Sequence, residues 1–237
     1  MSGGRDLAPR PRRVAAALAG LLVATVVVAL RGGADAAGRT SCRAVAHIGD
    51  SLSVGMDSSA YVRDPDERIE GRYEEIGIRD VRLEISGGRS VIEHLDDQEG
   101  GEAVAQRLRR AGFRGCWVID LATNDAANVD AGSGYGYTER IDRMMAVVGD
   151  DPVLWVDTRT RKERGHYASE HMRRFNQALE KAHARYPALH VYEWSADARD
   201  EWFQSDGIHF TAEGYAARAE LIADALATAY PAVGPSD

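Results

Sequence analysis

Apolar positions along this chain fall into two kinds of block. Ala44-Val45-Ala46-His47-Ile48, Cys116-Trp117-Val118-Ile119-Asp120-Leu121 and Val153-Leu154-Trp155-Val156 are nearly continuous runs, too short for helices, and predict buried strands. Val81-Arg82-Leu83-Glu84-Ile85 alternates apolar and charged residues, which predicts an edge strand with one wet face. Leu189-His190-Val191-Tyr192 adds a fifth strand. Between these runs the apolar spacing becomes helical: Val104, Leu108 and Ala111 within 102–111, and a segment 138–148 with Thr138 as cap and Gly149 as stop. Met172, Phe175, Leu179, Ala182 and Tyr186 mark a helix over 168–186 that ends before Pro187. A last helix starts near Thr211 and turns Tyr215, Ala219, Ile222 and Leu226 inward. Residues 63–79, with Asp64-Pro65-Asp66 as a turn signal, read as a solvated loop. The glycine-rich stretch 131–137 reads as a surface loop in preference to a mobile flap. Strands that alternate with helices predict an α/β fold, a five-stranded parallel sheet covered on both faces.

The first 36 residues break this pattern. Arg5, Arg10, Arg12 and Arg13 precede 17 uncharged, largely apolar residues from Val14 to Leu30, and Ala34-Asp35-Ala36 then offers a signal-peptidase site. The pattern predicts export, with the segment either a cleaved signal peptide or a retained N-terminal membrane anchor, and the body facing outward in both cases. Residues 37–237 are one domain's worth of chain. They keep 24 basic and 35 acidic residues, a formal charge of −11, which argues against nucleic acid or an anionic membrane surface as partner. The two cysteines, Cys42 and Cys116, each stand at the beginning of a predicted strand. If those strands are parallel neighbours, the sulfurs meet at the end of the sheet opposite the site, and an exported chain would join them in a disulfide. The alternative is two small buried apolar residues.

Candidate chemistry sits at strand ends. Gly49-Asp50-Ser51-Leu52-Ser53 follows the first strand and hands Ser51 to a helix start, where its hydroxyl lies beside amides able to stabilise an oxyanion. A serine hydroxyl needs a base, and Asp206-Gly207-Ile208-His209 supplies an imidazole with a carboxylate three residues earlier. Gly88 follows the second strand and Asn124 the third. Taken singly, each of these short motifs is weak.

Together, Ser51, Gly88, Asn124 and the pair Asp206/His209 resemble the four blocks of the SGNH hydrolase superfamily, the GDSL esterases, over residues 44–226. The resemblance implies a flavodoxin-like three-layer α/β/α sandwich. It makes Ser51 the nucleophile, His209 the general base and Asp206 its orienting partner. It also implies an oxyanion hole from the Ser51 amide, the Gly88 amide and the Asn124 side chain, Gly88 being preferred to Gly87 because two polar residues follow it. One position departs from the family pattern: Ala122 stands where the third block usually has glycine, which is tolerable if its φ is negative. Val156-Asp157-Thr158-Arg159 and the stretch from Trp194 to Thr211 look like the extracytoplasmic domains of peptidoglycan and polysaccharide O-acetyltransferases.

The expectation is an exported serine esterase that works through an acyl-enzyme on O-acyl, chiefly O-acetyl, esters of the cell envelope. Its alternatives are transfer of acetyl to a glycan hydroxyl and a non-catalytic envelope-binding protein on the same fold. The expected partner is a small-molecule or glycan ester. Arg159, after the fourth strand, is a candidate to hold a substrate carboxylate or carbonyl, a surface salt bridge being the other reading. No cofactor is expected. His47, His94, His166, His171, His183 and His190 lack ligand spacing, so no metal is expected either.

Overall fold

The computed structural model describes residue 1, residues 38–95 and residues 97–233. The segment read as signal peptide or anchor therefore lies, beyond residue 1, outside the described residues. Strands β1 (Ala44–Gly49), β2 (Asp80–Ile85), β3 (Cys116–Asp120), β4 (Val153–Val156) and β5 (Leu189–Tyr192) form one sheet of order β2-β1-β3-β4-β5. Every pairing is parallel. The helices are α1 (Ser51–Asp57), α2 (Ile69–Glu75), α3 (Gly101–Arg110), α4 (Thr123–Asp130), α5 (Tyr137–Val148), α6 (Ser169–His183), α7 (Trp194–Asp197) and α8 (Ala212–Ala229).

Alternation along the strands divides the core into two layers. Val45, Val118, Leu154 and Val156 face a cluster completed by Leu52, Met56, Ile69, Tyr73 and the inner face of α8. Ile48, Trp117, Ile119 and Trp155 face the opposite way, onto residues of α3, α4, α5 and α6. Each large apolar side chain buried this completely contributes about 1.5–3 kcal/mol. β2 stands at the sheet edge, as its alternation predicts. Tyr215, Ala219, Ile222 and Leu226 are all buried. Cys42 and Cys116 form a disulfide with their Cα atoms 5.8 Å apart, at the amino ends of neighbouring β1 and β3.

Several local readings need correction. Residues 63–79 hold a 3-10 turn (Pro65–Glu67) and α2, not a solvated loop, and Ile69 and Tyr73 are fully buried. Two apolar residues at i and i+4 give a weak helical signal, and packing against the rest of the core decides the outcome. Thr138 is not a cap: α5 begins at Tyr137 after Gly136, with no side-chain cap bond. Gly149 does end it. α6 stops at His183, short of Tyr186, which still packs on the core.

Candidate active site

The strand order reverses direction at β1, with β2 on one side and β3 on the other, and ligands bind at the carboxyl ends of strands at such a point. β1 ends at Gly49, where an added Cβ would come within 1.8 Å of Ser53 Oγ, so only glycine fits. Asp50 then caps α1, its Oδ1 accepting from Leu52 N at 2.9 Å, and Ser51 is the first helical residue.

Ser51 Oγ lies 3.0 Å from His209 Nε2, and His209 Nδ1 lies 2.7 Å from Asp206 Oδ2. The other Asp206 oxygen accepts from Ile208 N at 2.9 Å and His209 N at 3.0 Å. Burial works against ionisation of Asp206, but these three donors outweigh it and hold the carboxyl below its ordinary range. An ionised Asp206 fixes the proton on Nδ1, leaving Nε2 free to accept from Ser51. The turn that carries the pair is clamped by Gln204 N to His209 O (2.8 Å) and Thr211 N to Trp202 O (2.8 Å). Phe210 anchors it below, edge-on to Trp194, which stacks on Trp202.

Gly88 has φ +76°, the left-handed region that a side chain would strain. Ala122 has φ −164°, a negative φ, so the condition for alanine in place of glycine at that position is met. Asn124 lies in the first turn of α4 and is nearly buried. Its Nδ2 donates to Asp50 Oδ2 (3.1 Å) and to Arg89 O (3.0 Å), and its Oδ1 accepts from the Tyr167 hydroxyl (3.0 Å). Both amide protons are thus engaged in the free protein. Tyr167, which sequence reasoning missed, is a lone aromatic in a polar loop and carries no local signal.

Two buried polar networks were also missed. Tyr73 Oη donates to His47 Nδ1 (2.7 Å), His47 Nε2 to Ser53 Oγ (2.9 Å) and Ser53 Oγ to Asp120 Oδ2 (2.6 Å), a chain that closes in one sense. Arg218 reaches the other Asp120 oxygen at 2.5 Å from under Trp194. Burial opposes the Asp120 charge, but Arg218, the His47 ring 3.7 Å away and the bond from Ser53 hold its carboxyl well below the usual range. Burial, and next the Asp120 charge, push neighbouring Asp50 up to about 8. In the second network fully buried Arg140 joins Asp125 (2.9 Å) to Glu93, tying the loop after β2 to α4 and α5. A charged residue in an otherwise apolar strand, Asp120, and an arginine on the inward face of α8, Arg218, were the available signals.

Arg159 is braced: its guanidinium donates to Ala198 O and, at 2.5 Å, to Asp200 Oδ1. It borders an open cavity of about 520 Å³ that Thr158, Thr160, Arg161 and Arg173 also line. Among the described residues no group of His, Cys, Asp and Glu is arranged to hold a metal.

No curated protein sequence matches the chain. Solved structures do. Est24, a carbohydrate acetylesterase from Sinorhizobium meliloti, superposes with a TM-score of 0.60 at 20% identity, covering 79% of this chain and 100% of that one. A lipase/acylhydrolase from Enterococcus faecalis gives 0.59 at 18% identity, covering 81% and 100%. The catalytic domain of Streptococcus pneumoniae peptidoglycan O-acetyltransferase A gives 0.57 at 14% identity, covering 78% and 91%. These likenesses are of fold. The model of the GDSL-like lipase/acylhydrolase family matches residues 47–217, from within β1 to within α8, and the chain belongs to that family, as an SGNH-type hydrolase.

Proposed function

We propose that this chain is an exported serine esterase that cleaves O-acyl, chiefly O-acetyl, esters carried on cell-envelope glycans. The observation that carries the reading is the unbroken line from Asp206 through His209 to Ser51. In this mechanism His209 Nε2 takes the Ser51 proton as Oγ attacks the ester carbonyl, and the resulting oxyanion is held by the Ser51 and Gly88 amides and Asn124. His209 returns the proton to the departing alkoxide, and water then releases the acyl group from Ser51. Arg159 borders the pocket and adds positive charge there. Export is supported by the arginine-flanked apolar segment at the N-terminus and by the Cys42–Cys116 disulfide, a bond that persists in oxidising compartments. Among the described residues no helix is long and apolar enough to cross a membrane. Support for a carbohydrate-borne acetyl is the occurrence of this fold in a carbohydrate acetylesterase and a peptidoglycan O-acetyltransferase.

The test is acetyl release from an activated aryl acetate by the full chain, beside Ser51→Ala. Removal of Ser51 is expected to lower kcat/KM by at least about 10³-fold. A chitooligosaccharide included in the assay separates the two fates of the acyl-enzyme: acetyl on the sugar identifies a transferase, acetate alone an esterase. Equal inertness of wild type and Ser51→Ala across acyl lengths would favour a binding protein.

A further inference from the structure

Basic side chains are unevenly placed around the site. In an acidic body, residues 159–164 read Arg-Thr-Arg-Lys-Glu-Arg, and Arg173 stands beside them on α6. β4 ends at Val156, so the topology delivers this segment to the carboxyl edge of the sheet, the edge that also carries Ser51. Arg159, Arg161 and Arg173 line the 520 Å³ cavity, whose wall includes the buried side chains of Thr158, Thr160 and Asn176. A second hollow of about 440 Å³ runs from Arg161 past Lys162 and Arg164 to Asp206.

The cavity is tied to both halves of the candidate machinery. Thr158 Oγ1 is 2.5 Å from Thr123 Oγ1, next to Asn124. Thr160 Oγ1 donates to Tyr167 O at 2.7 Å, and the Tyr167 hydroxyl reaches Asn124. On the other side Arg161 N donates to Gly207 O at 2.7 Å, inside the Asp206–His209 turn. A molecule seated here therefore touches loops that hold the nucleophile's partners.

The cations differ in what they are free to do. Arg159 is committed to Ala198 and Asp200. Arg161 makes only peripheral contacts with Asp200, at 3.2 Å to its carbonyl and 3.8 Å to its carboxylate, and stays 45% exposed. Arg173, Lys162 and Arg164 have no side-chain ion pair or hydrogen bond among the described residues, and Glu163, Glu170, Asp200 and Asp206 are the carboxylates that share their hollows. Like charges gathered on a concave surface repel one another and raise the local concentration of anions. The planar fork of arginine suits carboxylate and phosphate in particular.

Building on the acyl-enzyme reading, we infer that this arginine-lined cavity is a subsite for the anionic part of the substrate, a carboxylate or phosphate carried on the same molecule as the acyl ester. The enzyme would then prefer acidic glycan esters to neutral ones.

Two measurements on the full chain test this. The first compares kcat/KM for an O-acetylated galacturonide, its neutral O-acetylated galactoside counterpart and an acetylated glycerol phosphate. At low ionic strength the anionic esters are expected to be preferred by about tenfold, the size appropriate to two part-exposed arginine contacts. The double variant Arg161→Gln/Arg173→Gln and, separately, 0.5 M salt are each expected to reduce that preference to about twofold or less. A preference for the galacturonide alone assigns the subsite to carboxylates, and one for the glycerol phosphate alone assigns it to phosphates. A ratio near one in the wild type, or a preference unmoved in the double variant, overturns the inference. The second measurement is binding of a de-esterified oligogalacturonide and of glycerol phosphate to Ser51→Ala, with and without the two arginine substitutions. Binding that the substitutions abolish upholds the subsite even where no ester is turned over, an outcome that removes only the acyl-enzyme reading. Failure of both anions to bind overturns the subsite even where the aryl acetate is cleaved.

Discussion

The Cys42–Cys116 disulfide gives a prediction whose size can be worked out. It closes a loop across 74 residues, and the chain-entropy relation for a loop of that length gives about 4.4 kcal/mol of stabilisation at 25 °C. The loop contains β1, α1, α2, β2 and α3, so without the bond the unfolded chain regains freedom over roughly the first two-fifths of the described body. For a domain of this size that loss corresponds to a fall in Tm of roughly 9–18 °C. Alanine at both positions is preferable to serine, because both sulfurs are buried and a hydroxyl there would need a partner. The bond sits at the amino ends of β1 and β3, while Ser51 and Asn124 follow their carboxyl ends. Calorimetry of Cys42→Ala/Cys116→Ala, and of the wild type treated with a phosphine reductant, is therefore expected to show the full Tm loss, with aryl-acetate kcat/KM at 25 °C within twofold of the oxidised protein. A fall in Tm under about 3 °C would refute the loop-entropy argument. A large fall in activity at unchanged Tm would refute the separation of the bond from the site.

Three further outcomes are expected. Tyr167→Phe removes the donor to Asn124 Oδ1 and is expected to lower kcat about tenfold with KM held within twofold, a split that a purely structural role would not give. Asn124→Ala, if Asn124 is an oxyanion donor, lowers kcat by about 10²–10³-fold in the same assay. Burial pushes Asp157 up to about 6 in spite of two bonds from Ser195, whereas the unfolded chain titrates it near ~3.9. Its contribution to stability is then greatest below about pH 4 and falls as pH rises to about 6. Asp157→Asn keeps both contacts with Ser195, and its Tm is expected to decline less than wild type over that window.

The sheet was legible because the inner strands β1, β3 and β4 are buried on both faces and so appear as bare apolar runs, with the edge strand β2 marked by Arg82 and Glu84. Ser51, Asp206 and His209, which the structure brings into hydrogen-bond reach of one another, were legible because they sit in short motifs, Ser51 at the end of the β1 run and the Asp206/His209 pair just before α8. α2 was not, since its two buried residues, Ile69 and Tyr73, are embedded in charged neighbours and draw their helicity from packing. Nor was Tyr167, whose partner is 43 residues away and whose own surroundings are polar. The Asp120–Arg218 pair spans 98 residues, and nothing local to either residue names the other. Arg159 was picked out by its place after β4, but its freedom depends on Asp200 and Ala198 in a later loop, and those contacts leave Arg161 and Arg173 as the freer cations.

The engagement of both Asn124 protons bears on how an oxyanion hole could work here. One bond runs to the neutral Arg89 carbonyl and the other, the longer at 3.1 Å, to Asp50. An oxyanion forming on a substrate bound to Ser51 would be a stronger acceptor than either, since hydrogen bonds to ionised groups are about twice as strong as neutral ones. Asn124 would then give one of its protons to the oxyanion in place of Asp50 or Arg89, while its Oδ1 stays held by Tyr167. Asp50 matters more for its charge than for its bond. An ionised carboxylate beside Ser51 would repel an oxyanion forming there, and burial next to Asp120 works against that charge, pushing Asp50 up to about 8. The cost of keeping Asp120 ionised in the core is thereby met with an electrostatic consequence at the site: the negative charge is held on Arg218, one step back from Ser51, while Asp50, next to Ser51, is pushed toward its neutral form.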